Sequence, residues 1–364
     1  MNIAPAGQAT VLPCTLIMAH SLSPVDLDLV LNETRDHWEP MRGKRLFLTG
    51  GTGFFGCWLV ESFCYINRAL ALNAGVTVLT RNPAQFRAKA PHLAGDAAVT
   101  LLDGDVRDFT FPEGEFAFVI HAATEASAKQ SAEAPLEMLR TIVAGTERTL
   151  EFAATHGIKR FLLTSSGAVY GRQPEDMTHV PEGFIGAPDP LQAASVYAEG
   201  KRLAELECAL YAKVHGLDCA IARCWAFAGP HLPLDAHFAI GNFIGDVLAG
   251  RPIRIRGDGT PRRSYLYAAD LAVWLWAMLF KAPALVPIHV GSEADVSILE
   301  TAQAVARVLR PKTTIEVLGV PQPGAQPARY VPAVRRASEL LGLRQTVDLD
   351  EAIRRTAAWY GYRG

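Results

Sequence analysis

KRLFLTGGTGFFGCWLVESF, residues 44–63, is the stretch that decides the fold. Leu46, Phe47 and Leu48 form an apolar run suited to a strand buried on both faces, and Gly50, Gly53 and Gly56 follow at GxxGxxG spacing. Trp58, Leu59 and Phe63 then supply the apolar stripe of a helix. Strand, glycine turn and helix in that order make a dinucleotide cradle. The glycines permit a tight turn, close approach of backbone to a pyrophosphate and close packing of helix on strand, while the helix start offers unpaired N–H groups and positive dipole. Glycine triplets alone are a weak signal, because a glycine-rich loop need not bind anything. The strand before and the helix after are what favour a nucleotide site, with Gly50, Gly53, Phe54, Phe55 and Gly56 against the cofactor.

Working outward, residues 76–79 (VTVL) read as a second buried strand that ends at Thr80 and Arg81. An NAD site carries an acidic residue about 20 residues past the turn to hold the adenosine ribose, whereas a neutral or basic one admits a 2′-phosphate. Thr80 and Arg81 therefore lean toward NADP over NAD, although Arg81 serves equally as a solvated loop residue or a guanidinium stacked on adenine. Residues 99–102 read as a third strand, and the turn after it places Asp105 and Val106 at the adenine end. A fourth strand over 116–120 runs into His121, Ala122 and Ala123. The two alanines let the backbone pass close to the cofactor, and His121 reads equally as a packed strand-end histidine. A helix over 135–155 and a fifth strand over 158–164 follow. This alternation defines an α/β chain with a Rossmann-type, doubly wound parallel sheet, whose catalytic side is the carboxyl ends of the strands.

Ser165 and Ser166 stand at that end of the fifth strand, and Tyr197 and Lys201 open a long helix at i and i+4, on one face. A phenol is a poor base at neutral pH unless its pKa is lowered, and an ammonium one turn away is a simple means of lowering it. Ser166 is placed to hydrogen-bond the same substrate oxygen. YxxxK alone is common in amphipathic helices; its position after a glycine turn and a serine-rich strand end gives it weight.

The formal net charge of −2 and the scattered basic residues mark no surface for nucleic acid. Six cysteines, Cys14, Cys57, Cys64, Cys208, Cys219 and Cys224, show neither CxxC nor zinc spacing, which points to reduced thiols, a cytoplasmic protein and no metal site. No apolar stretch is long enough to span a bilayer. Residues 1–22 are expected to be poorly ordered, and Ser23-Pro24 to cap a short helix ending near Trp38, so that 1–42 is an N-terminal extension. Asp270 is expected to cap the helix it begins.

The motifs TGGTGFFG, HAA, TSSGAVYG, YAEGK and GDGTPRRSYLYAAD, in that order, resemble the extended short-chain dehydrogenase/reductase family, in particular its nucleotide-sugar epimerase and dehydratase branch. The resemblance runs from Gly43 nearly to the C-terminus. It implies that residues 43–225, with 264–292 returning, form the Rossmann domain, that 226–263 and 293–364 form a smaller α/β lobe holding a nucleotide-diphosphate sugar, and that two long helices make a homodimer. It further implies a triad in which Tyr197 takes a proton from a sugar hydroxyl, Ser166 orients that oxygen, and Lys201 lowers the tyrosine pKa and binds the nicotinamide ribose. Hydride then passes between the sugar carbon and the nicotinamide. Asn242 matches a phosphate-contacting amide and also reads as a helix cap. Arg263 matches the arginine that grips the diphosphate, with Arg262 its solvated neighbour. Arg329 is a further candidate nucleotide contact.

Departures from the family narrow the reaction. In its 4,6-dehydratases the strand-end hydroxyl is followed by Asp-Glu, and sugar-acid decarboxylases keep the Glu; here Gly167 and Ala168 stand there. Elimination or decarboxylation thereby loses its acid/base unless another carboxylate such as Glu182 substitutes. Ala226 replaces the usual Asn after the sixth strand, and Trp225 before it offers an aromatic surface to the sugar. The resemblance then implies an NDP-hexose epimerase working through a transient 4-keto sugar. The alternatives are an NADPH-dependent NDP-4-keto-6-deoxysugar reductase and, further off, a 4,6-dehydratase or a dinucleotide sensor without catalysis.

Overall fold

In a computed structural model describing residues 21–124, 133–236, 238–322 and 324–364, the apolar runs become strands β1 (Arg45–Thr49), β2 (Gly75–Thr80), β3 (Val99–Asp103), β4 (Phe118–His121), β5 (Arg160–Ser166) and β6 (Asp218–Cys224). Shorter ones follow: β7 (Phe227–Ala228), β8 (Ile253–Ile255), β9 (Arg262–Ser264), β10 (Leu266–Tyr267), β11 (Pro287–Val290), β12 (Asp295–Ser297), β13 (Ile315–Val317) and β14 (Arg329–Tyr330). The described helices are α1 (Pro24–Thr34), α2 (Phe54–Ala69), α3 (Pro83–Lys89), α4 (Pro91–Ala94), α5 (Pro135–Thr155) and α6 (Val196–His215). After them come α7 (Ala239–Leu248), α8 (Ala268–Lys281), α9 (Ile298–Leu309), α10 (Arg335–Leu341) and α11 (Leu349–Trp359).

Seven strands form one parallel sheet in the order β11-β6-β5-β4-β1-β2-β3. The chain winds outward from β1 through β2 and β3, then crosses back to β4 on the other side. Between β1 and β4 the order reverses, and the crevice at their carboxyl ends is where such sheets bind ligands. Successive residues of β1 face opposite layers. Leu46 and Leu48 join a core with Trp58, Phe63 and Trp276, whereas Phe47 packs on Phe109, Phe116 and Phe152. That two-sided burial is why β1 is apolar without alternation.

The extension is anchored. Asp26, buried in α1, accepts hydrogen bonds from Tyr267 Oη at 2.8 Å and Arg355 Nη1 at 2.6 Å. Ser23 makes no side-chain cap, and α1 stops at Thr34 rather than near Trp38. Thr34 Oγ1 turns back to Val30 O at 2.6 Å and accepts Trp38 Nε1 at 2.9 Å, and two 3-10 turns carry the chain on to Met41. The expected disorder of residues 1–22 does not extend to Leu22, which is buried and donates its N–H to Glu61 Oε1 at 2.7 Å; residues 1–20, with Cys14, lie outside the described residues. Asp270 is not the cap of its own helix: it is the third residue of α8 and its buried carboxylate accepts from Thr346 N, Thr346 Oγ1 and Val347 N, tying down a distant loop.

Beyond the main sheet, β9 lies between β12 and β14, pairing Arg262 with Arg329 and Arg263 with Tyr330. Among the described residues no helix is long and apolar enough to cross a membrane.

Candidate active site

At the carboxyl end of β1 the chain turns through Gly50 with φ of 73°. A Cβ on Gly50 would sit 2.4 Å from Ala122 O and 2.7 Å from Ala123 N, and one on Gly56 would sit 2.3 Å from Gly50 O. These positions admit only hydrogen, so the turn lies flat against the end of β4 and α2 starts directly behind it. Gly53 is the N-cap residue of α2, and Phe54 and Phe55 fill its first turn, half-buried. Gly51, which spacing did not single out, is also held by contact, its Cβ position lying 2.5 Å from Val78 Cγ1.

His121 proves to be the packed strand-end histidine. It is buried, bonds Thr49 Oγ1 at 2.8 Å and Thr146 Oγ1 at 3.1 Å, and burial depresses its pKa to about 3, so it is neutral. Thr49 Oγ1 in turn accepts from Ala122 N and Ala123 N, which fixes the backbone that meets the glycine turn.

Along the crevice Thr80 is buried at the end of β2, with Arg81 exposed beside it. Asp105 is bound by Arg107 through Nε at 2.8 Å and Nη2 at 3.0 Å, and this pairing holds its carboxyl below the usual range. Val106 packs on Gly145, whose Cβ position is 2.8 Å from Val106 Cγ1.

Ser166 ends β5, and its Oγ accepts from Ala168 N at 3.1 Å. Tyr197, in the first turn of α6, faces that hydroxyl. Burial pushes the phenol up to about 12, against the hydrogen bonding of Ser166. Lys201 lies one turn on and is buried; its Nζ donates to Thr124 Oγ1 at 2.7 Å and Thr164 O at 2.8 Å. Burial lowers its pKa to about 8. With this geometry two lysine N–H groups go to threonine oxygens, and desolvation dominates both side chains. Thr124 was not foreseen, because nothing in local spacing links it to a lysine 77 positions away.

A rigid frame stands behind Ser166. Glu205, one turn beyond Lys201, receives Ser165 Oγ and both Arg223 Nε and Nη2, and Arg223 Nη1 donates to Tyr170 Oη at 2.6 Å. Tyr170 Oη meets His289 Nε2 at 2.7 Å.

The space beside Ser166 is aromatic. Trp225, 8% exposed, lies over Gly167 so closely that a Cβ there would be 2.6 Å from Cε2 and 2.7 Å from Cδ2 of the indole. Tyr330 packs on Trp225 with ring centroids 4.4 Å apart, and its phenol faces Ser166, whose hydroxyl opposes the rise that burial imposes on the phenol pKa. Arg263 lies over the Tyr330 ring at 5.9 Å and has no carboxylate partner among the described residues.

One anticipated contact and one anticipated cap are placed differently. Arg329 shares the strand face of Arg262, and both grip Asp295, at 2.6 Å each; it is Tyr330, pointing the other way, that reaches Ser166. Arg262 is correspondingly an ion-paired residue rather than a solvated one. Asn242 is no cap: it lies inside α7, its N–H bonded to Phe238 O at 3.0 Å, and its buried Oδ1 has no partner among the described residues. Glu182 lies against His289 N at 3.4 Å, and burial raises its pKa. Tyr330 left no sequence signal, since its register with Arg263 depends on a two-residue strand. Among the described residues no cluster of His, Cys, Asp and Glu has the arrangement of a metal site.

A nicotinamide dinucleotide fits this geometry: a glycine turn that a Cβ would fill leads into a helix N-terminus at the topological switch point, with a Ser, Tyr and Lys set alongside. Comparison with known proteins agrees. Residues 46–290 match the model of the NAD dependent epimerase/dehydratase family, and the chain belongs to that family. It is 30% identical to UDP-glucuronic acid decarboxylase 1 of Arabidopsis thaliana over 311 residues, 85% of this chain and 68% of that protein. The corresponding protein of Danio rerio is 29% identical over 317 residues, 87% of this chain and 72% of the relative. Among solved structures, the dTDP-glucose 4,6-dehydratase DesIV of Streptomyces venezuelae superposes with a TM-score of 0.74 at 25% identity, covering 87% of this chain and 96% of that one. The UDP-glucose 4-epimerase of Thermotoga maritima shares the fold, with a TM-score of 0.73 at 20% identity over 87% of this chain and 98% of that one.

Proposed function

We propose that this protein is a nucleotide-sugar enzyme that uses a bound nicotinamide dinucleotide for hydride transfer at a sugar carbon, and that its reaction is epimerisation of an NDP-hexose through a transient 4-keto sugar. The observation that carries the choice is the indole of Trp225 over Gly167. It fills the space into which an eliminating carboxylate would project from position 167, and Ala168 leaves none beside it. Relatives named as UDP-glucuronic acid decarboxylases support a sugar nucleotide as substrate.

A dinucleotide held at the glycine turn would supply the hydride acceptor and donor, and the remaining tasks fall to the protein. Gly50, Gly53, Phe54, Phe55, Gly56, Ala122 and Ala123 shape its cradle, Thr80, Arg81, Asp105 and Val106 flank its adenosine end, and Lys201 serves its ribose. Arg263 and Asn242 supply donors for the diphosphate, and Trp225 and Tyr330 wall the sugar. Ser166 holds the sugar oxygen in line with Tyr197, which moves the proton at its phenolic oxygen. The buried, neutral phenol is the form that protonates a ketone oxygen as hydride arrives, the second half of an epimerisation and the whole of a reduction.

Thr80 and Arg81 favour a second reading, an NADPH-dependent reductase of an NDP-4-keto-6-deoxysugar. An epimerase retains its cofactor and a reductase exchanges it, so mass analysis of cofactor released on denaturation, with product analysis on UDP-, GDP-, CDP- and dTDP-hexoses, separates them. Redox-neutral isomerisation is expected, lost in Tyr197→Phe with cofactor binding retained. Net cofactor turnover overturns epimerisation. We read the exposed stripe of Leu203, Leu206, Leu210 and Val214 on α6 as the homodimer face and the buried free thiols as suited to the cytoplasm.

A further inference from the structure

Lys201 Nζ is buried at the meeting of three elements. It donates to Thr164 O on β5 at 2.8 Å and to Thr124 Oγ1, just past β4, at 2.7 Å. Thr124 Oγ1 gives its own proton to Ala123 O at 2.7 Å, so toward the lysine it is an acceptor. An ammonium has three N–H groups in tetrahedral array, and fixing two of them sets the direction of the third. Ala123 belongs to the backbone that abuts the Gly50 turn. One side chain thus joins the cofactor cradle to the lysine of the triad.

We propose that Thr124 is a positioning residue for Lys201, whose hydroxyl oxygen keeps the ammonium charged and aims its free N–H into the site. The proposal rests on the triad reading above and adds to it a residue outside the three. The titratable neighbours of Lys201 leave Thr124 a real share of this task. His121 at the end of β4 is neutral, and the Cys224 thiol at the end of β6 is pushed up to about 12 by burial. Cys208 is raised too, Tyr197 is a neutral phenol, and Glu205 is engaged by Arg223 and Ser165. Among the described residues, the two threonine oxygens and the charge of Glu205 are left to offset the desolvation of the cation. Removal of the Thr124 oxygen lowers the lysine pKa further, so any property that needs the charged lysine is lost at lower pH than in the wild type.

The test compares wild type, Thr124→Val and Thr124→Ser. In Thr124→Val the alkaline limb of kcat moves down by about one pH unit, a tenfold change in the lysine's proton affinity, as expected for loss of a hydrogen bond to a charged group. The same shift appears in the pH dependence of reduced-cofactor affinity, followed by nicotinamide fluorescence, and Thr124→Ser restores both. Unchanged limbs in Thr124→Val, or failure of Thr124→Ser to restore them at wild-type melting temperature, overturn the proposal. If no sugar nucleotide is turned over, the functional reading fails on its own, and the fluorescence titration still decides the role of Thr124.

Discussion

Replacing Gly167 by alanine tests the central geometric claim, that the acid position beside Ser166 is filled by an indole. The added methyl would meet Trp225 Cε2, Cδ2 and Cε3 at 2.6, 2.7 and 2.9 Å, and ordinary contact begins at 3.4 Å, so the ring must withdraw by 0.8 Å, which is 3.4 less 2.6. It has nowhere to go. Tyr330 backs it at 4.4 Å and His289 at 5.1 Å between ring centroids, and a Cβ on Gly291 would already lie 3.1 Å from Trp225 Cβ. Gly167 is not among the residues with positive φ, so space alone opposes the methyl. Overpacking of this kind destabilises by about 1–3 kcal/mol. Trp225→Phe, which withdraws the outer ring, leaves room for the methyl, and the double variant should be more stable than the sum of the single losses by about 1 kcal/mol or more. Urea unfolding of all four proteins, followed by circular dichroism, measures the cycle. A loss below about 0.5 kcal/mol in Gly167→Ala, or strict additivity, refutes the reasoning.

Tyr330→Phe keeps the ring on Trp225 and deletes the hydroxyl beside Ser166. Steady-state kinetics should show KM for the sugar nucleotide raised about fivefold, the worth of a hydrogen bond of about 1 kcal/mol, with inhibition by the free nucleoside diphosphate unchanged. An unchanged KM removes Tyr330 from the sugar subsite. For Asp295, the hydrogen bond from Arg262 holds the carboxyl below its ordinary value of 3.8. A depressed carboxyl stabilises the fold above its unfolded pKa, and the contribution fades as pH falls through the folded value. Asp295→Asn should therefore melt lower than wild type at neutral pH, with the gap closing in acid; a gap independent of pH in thermal scans contradicts the assignment.

The alternation of apolar runs with helical stripes, the glycine spacing and the order of Ser166, Tyr197 and Lys201 were enough to read the parallel sheet, the glycine turn and the family from the chain alone. These are local patterns: burial on two faces, a turn that tolerates no Cβ, and a one-turn separation on a helix each leave a mark within a few residues. Tertiary structure decided the rest. Trp225 comes to rest on Gly167 and Tyr330 on Trp225, and Arg329 turns to Asp295 while its neighbour faces the serine. Asp270 serves a loop 76 positions away instead of its own helix. Lys201 answers to Thr124 and Thr164 rather than to the phenol one turn before it. In each case the partner is chosen by which strand ends and loops the fold brings together, and by the need of a buried polar group for a partner or of a ring for space. Neither need has a period that a sequence can display.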